Sequence, residues 1–356
     1  MKNEMSADSR LYFIDNLKTA ACILVVIGHF VMSMAGAKLL PDTGFYADFI
    51  RVLYTFHVPI FFVCSGFLYQ HSNRVHSMKT WADNVRQKLL NLGVPYFTFS
   101  AVTLLLKIIF EDSVNFKLSV GITDILRILF LEPYAPYWYL YSLFFLFLIL
   151  PCMNTKKGGV ILLTVSLLLW GVKLWCGRAG VVLPYLINTV LSQMQWFAFG
   201  MLLALFDMTA LKKAARIIVP LSAVLSGVAI WISVRYTVGG AFSKVMGICL
   251  VLFCVFAAIL FQPKAVNLLS QKFSKYFMAI FVTHTIFSAG VRILLLKAGI
   301  HSLPLHIVGG VLGGIVIPIL VYGICEKIPV LLFFFAPSKA IKRIKEKRYV
   351  KDETAA

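Results

Sequence analysis

The sequence has 356 residues, of which 60% are hydrophobic and only 14% are charged. Soluble proteins average about 25% charged residues, so this composition excludes an ordinary soluble enzyme and indicates a lipid bilayer as the main solvent. A net charge of +19 would suggest nucleic-acid binding in a soluble protein. Here the basic residues lie in short loops and a basic tail, which favours membrane orientation and attraction to anionic lipids. We therefore expect membrane lipids, and no nucleic acid, as partners.

Apolar runs of about the spanning length recur along the whole chain. They predict an all-α, polytopic membrane protein with about ten transmembrane helices around a polar cavity. A shorter amphipathic segment at 120–132 is expected to lie on the outer surface. The last run is long, and a break is expected at Pro318 or Pro329. The predicted spans are about 11–34, 49–70, 89–110, 134–152, 159–176, 183–205, 217–237, 241–262, 277–298 and 303–335.

The predicted membrane domain covers residues 10–335, and residues 336–356 form a basic cytoplasmic tail. With the N-terminus inside, the inner segments carry about twice as many lysines and arginines as the outer ones, which predicts a multi-pass protein of the cytoplasmic (inner) membrane with both termini cytoplasmic. The first run ends in Ala-Gly-Ala at 35–37, a tripeptide typical of signal-peptidase sites. Because many more spans follow, we expect an uncleaved first helix.

The first apolar run carries a cation, Lys18, and an imidazole, His29. Eleven residues correspond to about 1100°, nearly three full turns, so both side chains are predicted on one helix face about 16 Å apart along the axis. A charge facing lipid costs at least about 2.5–3.5 kcal/mol, so this face is expected to look into protein or a water-filled cavity. The alternatives are that Lys18 snorkels to the headgroups and that His29 forms a structural hydrogen bond to a neighbouring helix.

Other predicted spans hold further ionisable residues, namely His57, His284 and Glu326. Each is a functional candidate, because ionisable groups inside a membrane are costly. Three histidines suggest a metal site, but no HxxxH or HxxE spacing occurs on one helix, so no metal is predicted. In the inner loop, Arg86 and Lys88 precede the third span. They act either as positive-inside anchors or as a grip for the phosphates of a cytoplasmic donor.

Seven segments follow one another in an order typical of one known family. The stretch RLYFIDNLKTAACILVVIGHF resembles a first-helix signature of Arg or Lys, ten residues and His, met here by Lys18 and His29. FHVPIFFVCSGFL is similar to an FHxPxFFxxSGFL segment, and VRQKLLNLGVPYF to a segment with two basic residues ahead of Pro-Tyr. YWYLYSLFFLFLILP, QWFAFGMLL, SKYFMAIFVTHTIF and ICEKIP follow in order. Over about residues 10–335 the chain thus resembles the acyltransferase-3 family of multi-pass membrane O-acyltransferases.

The resemblance implies an enzyme that moves an acetyl, or sometimes a succinyl, group from cytoplasmic acyl-coenzyme A to a sugar hydroxyl. The acceptor would be a surface or exported glycan or a lipid-linked sugar. Many members carry an additional extracytoplasmic domain, and we expect the membrane portion alone to complete the transfer here. The same cavity would also suit a transporter or exporter of a glycan or small metabolite. A membrane domain that senses or recruits a partner without catalysis is the third interpretation.

The resemblance also implies roles for individual residues. Lys18 and His29 would be catalytic, and Lys18, Arg86 and Lys88 would bind acetyl-coenzyme A or another acyl-coenzyme A. Lysine in place of arginine keeps the charge but loses the bidentate fork. No Gly-x-Ser-x-Gly element is present, so direct transfer between the two substrates is expected rather than a serine acyl-enzyme.

His29 is the candidate base, because neutral imidazole accepts a proton near pH 7. Asp15 lies about 21 Å away along the same helix, too far to orient it, so the orienting partner is expected from another helix, as Glu326 or a backbone carbonyl. Some residues on the acceptor side have structural interpretations as alternatives to substrate binding. Small residues around Ser65 suit close helix packing, and Trp138 and Tyr139 suit an aromatic belt at the membrane surface. The predicted substrate-binding residues are His57, Ser65, Trp138, Tyr139, His284 and Glu326.

Overall fold

The fold is all-helical, and no strand occurs within the ranges described below. Helices are required because backbone N–H groups in a bilayer find partners only inside their own segment. This confirms the predicted fold class. The computed structural model describes residues 11–41, 44–72, 75, 77–110, 121–236 and 238–355; the N-tail to residue 10 and position 120 of the amphipathic segment lie outside them.

Sixteen α-helices follow one another along the described chain. They are α1 (Tyr12–Gly36), α2 (Phe45–Leu53), α3 (His57–Ser72), α4 (Met78–Lys88), α5 (Val94–Ile109), α6 (Ile122–Phe130), α7 (Trp138–Ile149), α8 (Lys156–Arg178), α9 (Tyr185–Leu203), α10 (Met208–Arg235), α11 (Gly240–Leu260), α12 (Lys264–Phe273), α13 (Phe277–Lys297), α14 (Leu303–Lys327), α15 (Pro329–Phe335) and α16 (Pro337–Ala355), with a π-helical segment, Leu89–Gly93, before α5 and a 3₁₀ turn, Ser274–Tyr276, before α13.

Nine helical stretches of the described residues are long and apolar enough to cross a membrane. Three of them join two helices each: α2 with α3, α4 with α5, and α12 with α13. Of the ten predicted spans, the fourth, 134–152, is not matched by a helix long enough to cross a membrane. There α7 has only 12 residues, or about 18 Å, against the roughly 30 Å of a bilayer core. It ends early because Leu150, which precedes Pro151, takes an extended conformation (φ −93°, ψ 117°).

The last predicted span, 303–335, breaks at one of its two candidate prolines. Pro318 remains inside α14, whereas Pro329 begins α15. Ile328 is extended (φ −115°, ψ 102°), as expected for a residue before proline, and proline suits the first turn of a helix. The amphipathic segment is helix α6, whose apolar side chains Ile122, Leu126 and Phe130 are exposed.

Helices α3 and α9 meet backbone to backbone. A Cβ atom at Gly66 would lie 2.0 Å from the carbonyl oxygen of Phe197, and one at Gly200 would lie 2.0 Å from that of Val63. Small residues allow this approach in membrane proteins, where dispersion contacts replace the hydrophobic effect. Gly66 therefore serves helix packing, as the alternative interpretation for this segment predicted.

The bundle has two ends that matter for function. We call the C-terminal ends of α1, α5 and α13 the cavity end, because an open cavity lies between them. We call the other the tail end, because α16 attaches there. Glu326 at the end of α14 pairs with Lys339 (2.7 Å) and Arg343 (3.3 Å) of α16, and the Ser338 N–H donates to Asn91 Oδ1 (3.2 Å). The basic tail is thus a helix bound to the membrane portion.

Candidate functional site

A cavity of about 530 Å³ opens at the cavity end between α1, α5 and α13. His29 is half-buried and lines it. The rotation of α1 that turns His29 to this side is fixed by its neighbour Phe30, which is fully buried against Gly310 of α14. A Cβ atom at that glycine would fall 2.1 Å from the Phe30 ring. The imidazole is therefore presented to a space large enough for a small ligand.

His284 of α13 is a neighbour of His29 across the α1–α13 interface. The two ring centroids are 5.2 Å apart, and His284 is completely buried. Its Nδ1–H donates to the carbonyl oxygens of Ile280 and Phe281, both at 2.9 Å. Because Nδ1 carries the hydrogen, Nε2 of the neutral ring offers a lone pair, and this buried atom has no hydrogen-bond partner among the described residues.

Tyr54 and His57 extend the group on the other side of His29. The Tyr54 ring lies 6.1 Å from His29 and 4.7 Å from His57, centroid to centroid. His57 is fully buried, and its Nδ1–H donates to the Leu53 carbonyl at 2.6 Å. Sequence reasoning missed Tyr54, although a polar aromatic three residues before a candidate histidine was a usable signal. We call His29, His57, His284 and Tyr54 the histidine cluster.

The predicted shared face of α1 is present. Lys18 Nζ lies 5.5 Å from the ring centroid of Phe277, and His29 faces His284; both neighbours belong to α13. Lys18 therefore points along the same helix interface as His29, about 16 Å nearer the tail end. Its position over an aromatic face also shows that a cation–π contact stabilises this ammonium group within the protein.

The other basic candidates lie at the tail end. Arg86 is exposed near the end of α4, and Lys88 Nζ lies 4.0 Å from the ring centroid of Phe147 in α7. The π-helical segment Leu89–Gly93 follows directly. Such π-segments are frequent at functional sites, because they rotate the preceding side chains relative to a regular helix.

The acceptor-side candidates on α3 and α7 contact one another. Ser65 Oγ and the Tyr139 hydroxyl are 3.1 Å apart, and Trp138 packs near Phe62. Tyr139 is buried and its ring lies 5.2 Å from that of Phe281, about one turn before His284. The Ser65–Tyr139 pair therefore lies between the histidine cluster and the tail end.

Glu326 does not meet His29, and the suggestion that it orients the imidazole is wrong. Phe30 marks the level of the cavity on α14 at Gly310, and Glu326 follows sixteen residues later, about 24 Å along the axis. Its carboxylate is held by Lys339 and Arg343 instead. His284 occupies the place for which an orienting group was expected.

The described residues contain no group of three histidine, cysteine or acidic side chains placed to hold a metal ion. Among the three histidines, two rings, His57 and His284, are fixed by backbone carbonyls, and the third, His29, faces the cavity.

If His284 positions His29, His284→Ala will lower kcat about tenfold and leave the donor KM and the protein abundance unchanged. His284→Gln should keep part of the rate, because an amide oxygen can also accept a hydrogen bond beside His29. A matched control is His306→Ala, since His306 is also buried and bonded to a backbone carbonyl, that of Ile300. Equal kcat losses in the His284 and His306 variants, or a loss of abundance alone, would show a structural role.

A family model described as an acyltransferase domain matches residues 11–323. The match covers α1 to most of α14, and so includes every candidate residue above except Glu326. Comparison with curated proteins finds no match, and neither does comparison with solved structures.

Proposed function

The chain belongs to the acyltransferase-3 family and is a multi-pass membrane acyltransferase, and from this premise we propose that it moves an acetyl or succinyl group from cytoplasmic acyl-coenzyme A to a hydroxyl of a surface or exported glycan. The observation that carries the proposal is one helix face with His29 in an open cavity and Lys18 near the opposite end. A donor from one compartment and an acceptor from the other can meet along that face.

In the proposed reaction the acceptor hydroxyl oxygen forms a bond to the acyl carbon, and the carbon–sulfur bond of the thioester breaks. His29 takes the hydroxyl proton as the new bond forms and returns it to the departing coenzyme thiolate. Because His29 gains and loses the same proton within one cycle, no further reactant is needed. Direct transfer also agrees with the lack of a Gly-x-Ser-x-Gly element in the sequence.

His284 supports this role of His29. The Nδ1–H of His284 is committed to two carbonyl oxygens, so its Nε2 offers a lone pair. The ring centroids are 5.2 Å apart, and in this proposal the His284 ring fixes which nitrogen of His29 carries the hydrogen. The free nitrogen of His29 then accepts from the acceptor hydroxyl.

The donor would bind at the tail end. Lys18, Arg86 and Lys88 offer cations for the coenzyme phosphates, and charge-assisted hydrogen bonds to phosphate are among the strongest available to a protein. The pantetheine arm would run along the α1–α13 interface past the Ser65–Tyr139 pair toward His29. With the tail end in the cytoplasm, both termini are cytoplasmic and the cavity end opens outside.

Arg86→Ala should raise the KM for acyl-coenzyme A about tenfold, because a charged hydrogen bond to phosphate is lost, and should change kcat less. The measurement is acyl transfer in isolated membranes at varied donor concentration. Lys79→Ala is the matched control, since Lys79 is also exposed on α4. Equal effects of the two substitutions, or a fall in abundance without a change in KM, would reduce Arg86 to a membrane anchor.

A transporter with the same cavity makes a different prediction in cells. An acyltransferase changes the acyl content of the glycan, whereas a carrier changes only where the glycan is found. Mass spectrometry of surface glycans and lipid-linked intermediates, with and without this chain, separates the two. If the acyl content of the glycans is the same with and without this chain, the glycan is not the acceptor of this enzyme.

A further inference from the structure

Three cations line the same cavity as His29: Lys107 of α5 and Arg292 and Lys297 of α13. The described lining residues include no aspartate or glutamate. Cations at this end are not explained by the positive-inside rule, because the proposed orientation places the cavity end outside. The cavity wall therefore carries a concentration of positive charge that needs its own explanation.

Of these cations, Arg292 is buried and Lys107 is half-buried, whereas Lys297 is exposed. Arg292 is only 3% exposed, and its Nη1 donates to the carbonyl oxygen of Ser33 at 3.1 Å. Lys107 Nζ lies 3.5 Å from the ring centroid of Tyr134, which also lines the cavity. Removing a charged side chain from water costs free energy. Cations placed as Arg292 and Lys107 are therefore typical of a binding site rather than of a solvated surface.

The guanidinium of Arg292 binds α1 about one turn beyond His29. Ser33 follows His29 by one helical turn, so the backbone carbonyl that binds Arg292 lies about 6 Å beyond His29 along α1. That spacing is on the scale of a single sugar ring. A ligand can thus place one group on the cations and another at His29.

We infer that the cavity takes an acidic acceptor sugar, whose carboxylate or phosphate is held by Lys107, Arg292 and Lys297 while a neighbouring hydroxyl meets His29. The inference rests on the proposed function and names the acceptor class for it. The cavity volume of about 530 Å³ lies within the range of small-ligand sites. Apolar side chains such as Phe30, Met32 and Leu106 complete the wall and suit the C–H faces of a sugar.

The test is a binding measurement on the full chain in nanodiscs of zwitterionic lipid. The probes are glucose, glucuronate and glucose 6-phosphate. We expect the two acidic sugars to bind at least about tenfold more tightly than glucose, because charged hydrogen bonds are added. The double variant Lys107→Gln/Lys297→Gln should lose this preference, and Lys107→Arg/Lys297→Arg should keep it. Arg178→Gln is the control, an exposed cation at a helix end outside the cavity.

Equal binding of glucose and both acidic sugars would overturn the inference, and so would a preference that survives in the double glutamine variant. A further measurement adds coenzyme A. If coenzyme A displaces glucuronate from the wild type and the affinity for coenzyme A falls in the double glutamine variant, the cations hold the donor. The inference then fails. The binding assay needs no catalysis. Failure here with intact His29-dependent transfer therefore removes only the acidic acceptor, whereas an active His29→Ala variant that still prefers glucuronate removes only the proposed mechanism.

Discussion

Replacing His29 with alanine is expected to lower acyl transfer at least a hundredfold, because a positioned general base contributes about 10²–10⁴ to such rates. The side chain is half-buried at a cavity wall, so its loss leaves the packing of α1 intact. The measurement is transfer of label from acyl-coenzyme A to glycan in membranes, normalised to the amount of folded protein. Whereas a substitution that disturbs folding would lower the amount of protein, His29→Ala should lower the rate of acyl transfer and leave protein abundance unchanged.

His301→Ala is the matched control for this experiment, since His301 is exposed in the loop before α14 and lies outside the cavity lining. It should transfer acyl groups at the wild-type rate. Undiminished glycan acylation by the His29 variant would remove this residue from the base role, and His284 would then be the next ring to test.

Adding one methyl group at Gly200 is expected to have the largest effect on folding. The new Cβ would lie 2.0 Å from the carbonyl oxygen of Val63 and 2.9 Å from the amide nitrogen of Phe67. Backbone atoms cannot rotate away as side chains do, so Gly200→Ala must push α9 off α3, at a cost of about 3 kcal/mol or more. We expect little monodisperse protein after extraction and a much lower unfolding temperature.

Gly323→Ala provides the comparison, because apart from the adjacent backbone of α14 itself no described atom lies within 4 Å of a Cβ built there. It should be extracted and unfold like the wild type. Wild-type stability in the Gly200 variant would mean that α3 and α9 approach each other less closely than described. The position of Ser65 on α3 beside Tyr139 would then be in question as well.

Local periodicity accounts for what the sequence predicted well. Lys18 and His29 lie on one α1 helix, and their shared orientation follows from the residue spacing alone. The long apolar runs likewise predicted the spans. The extent of α7 was overestimated because the apolar run also includes loop residues. One of them is Tyr137, which precedes α7 and is buried. Its hydroxyl donates to the Val282 carbonyl and is also hydrogen-bonded to the Thr103 hydroxyl.

What depends on helix packing could not be predicted. Glu326 is close to the end of a span that runs opposite to α1, so its distance from His29 follows from helix direction and from the docking of α16. Tyr54 joins the histidine cluster only because α1 and the α2–α3 turn meet at Gly28, where a Cβ would lie 3.4 Å from the Tyr54 ring. Arg292 of α13 reaches the cavity through the α1–α13 contact, where it donates to the Ser33 carbonyl.

The proposed function requires that a donor at the tail end acylates an acceptor that enters from the cavity end. Sealed inverted membrane vesicles, with the cytoplasmic face outward, test it most directly. With labelled acyl-coenzyme A added outside, we predict that labelled glycan accumulates in the protected lumen, and that His29→Ala vesicles hold none. Label that stays on glycan outside the vesicles, or reaches the lumen equally in the variant, would contradict transfer across the membrane at His29.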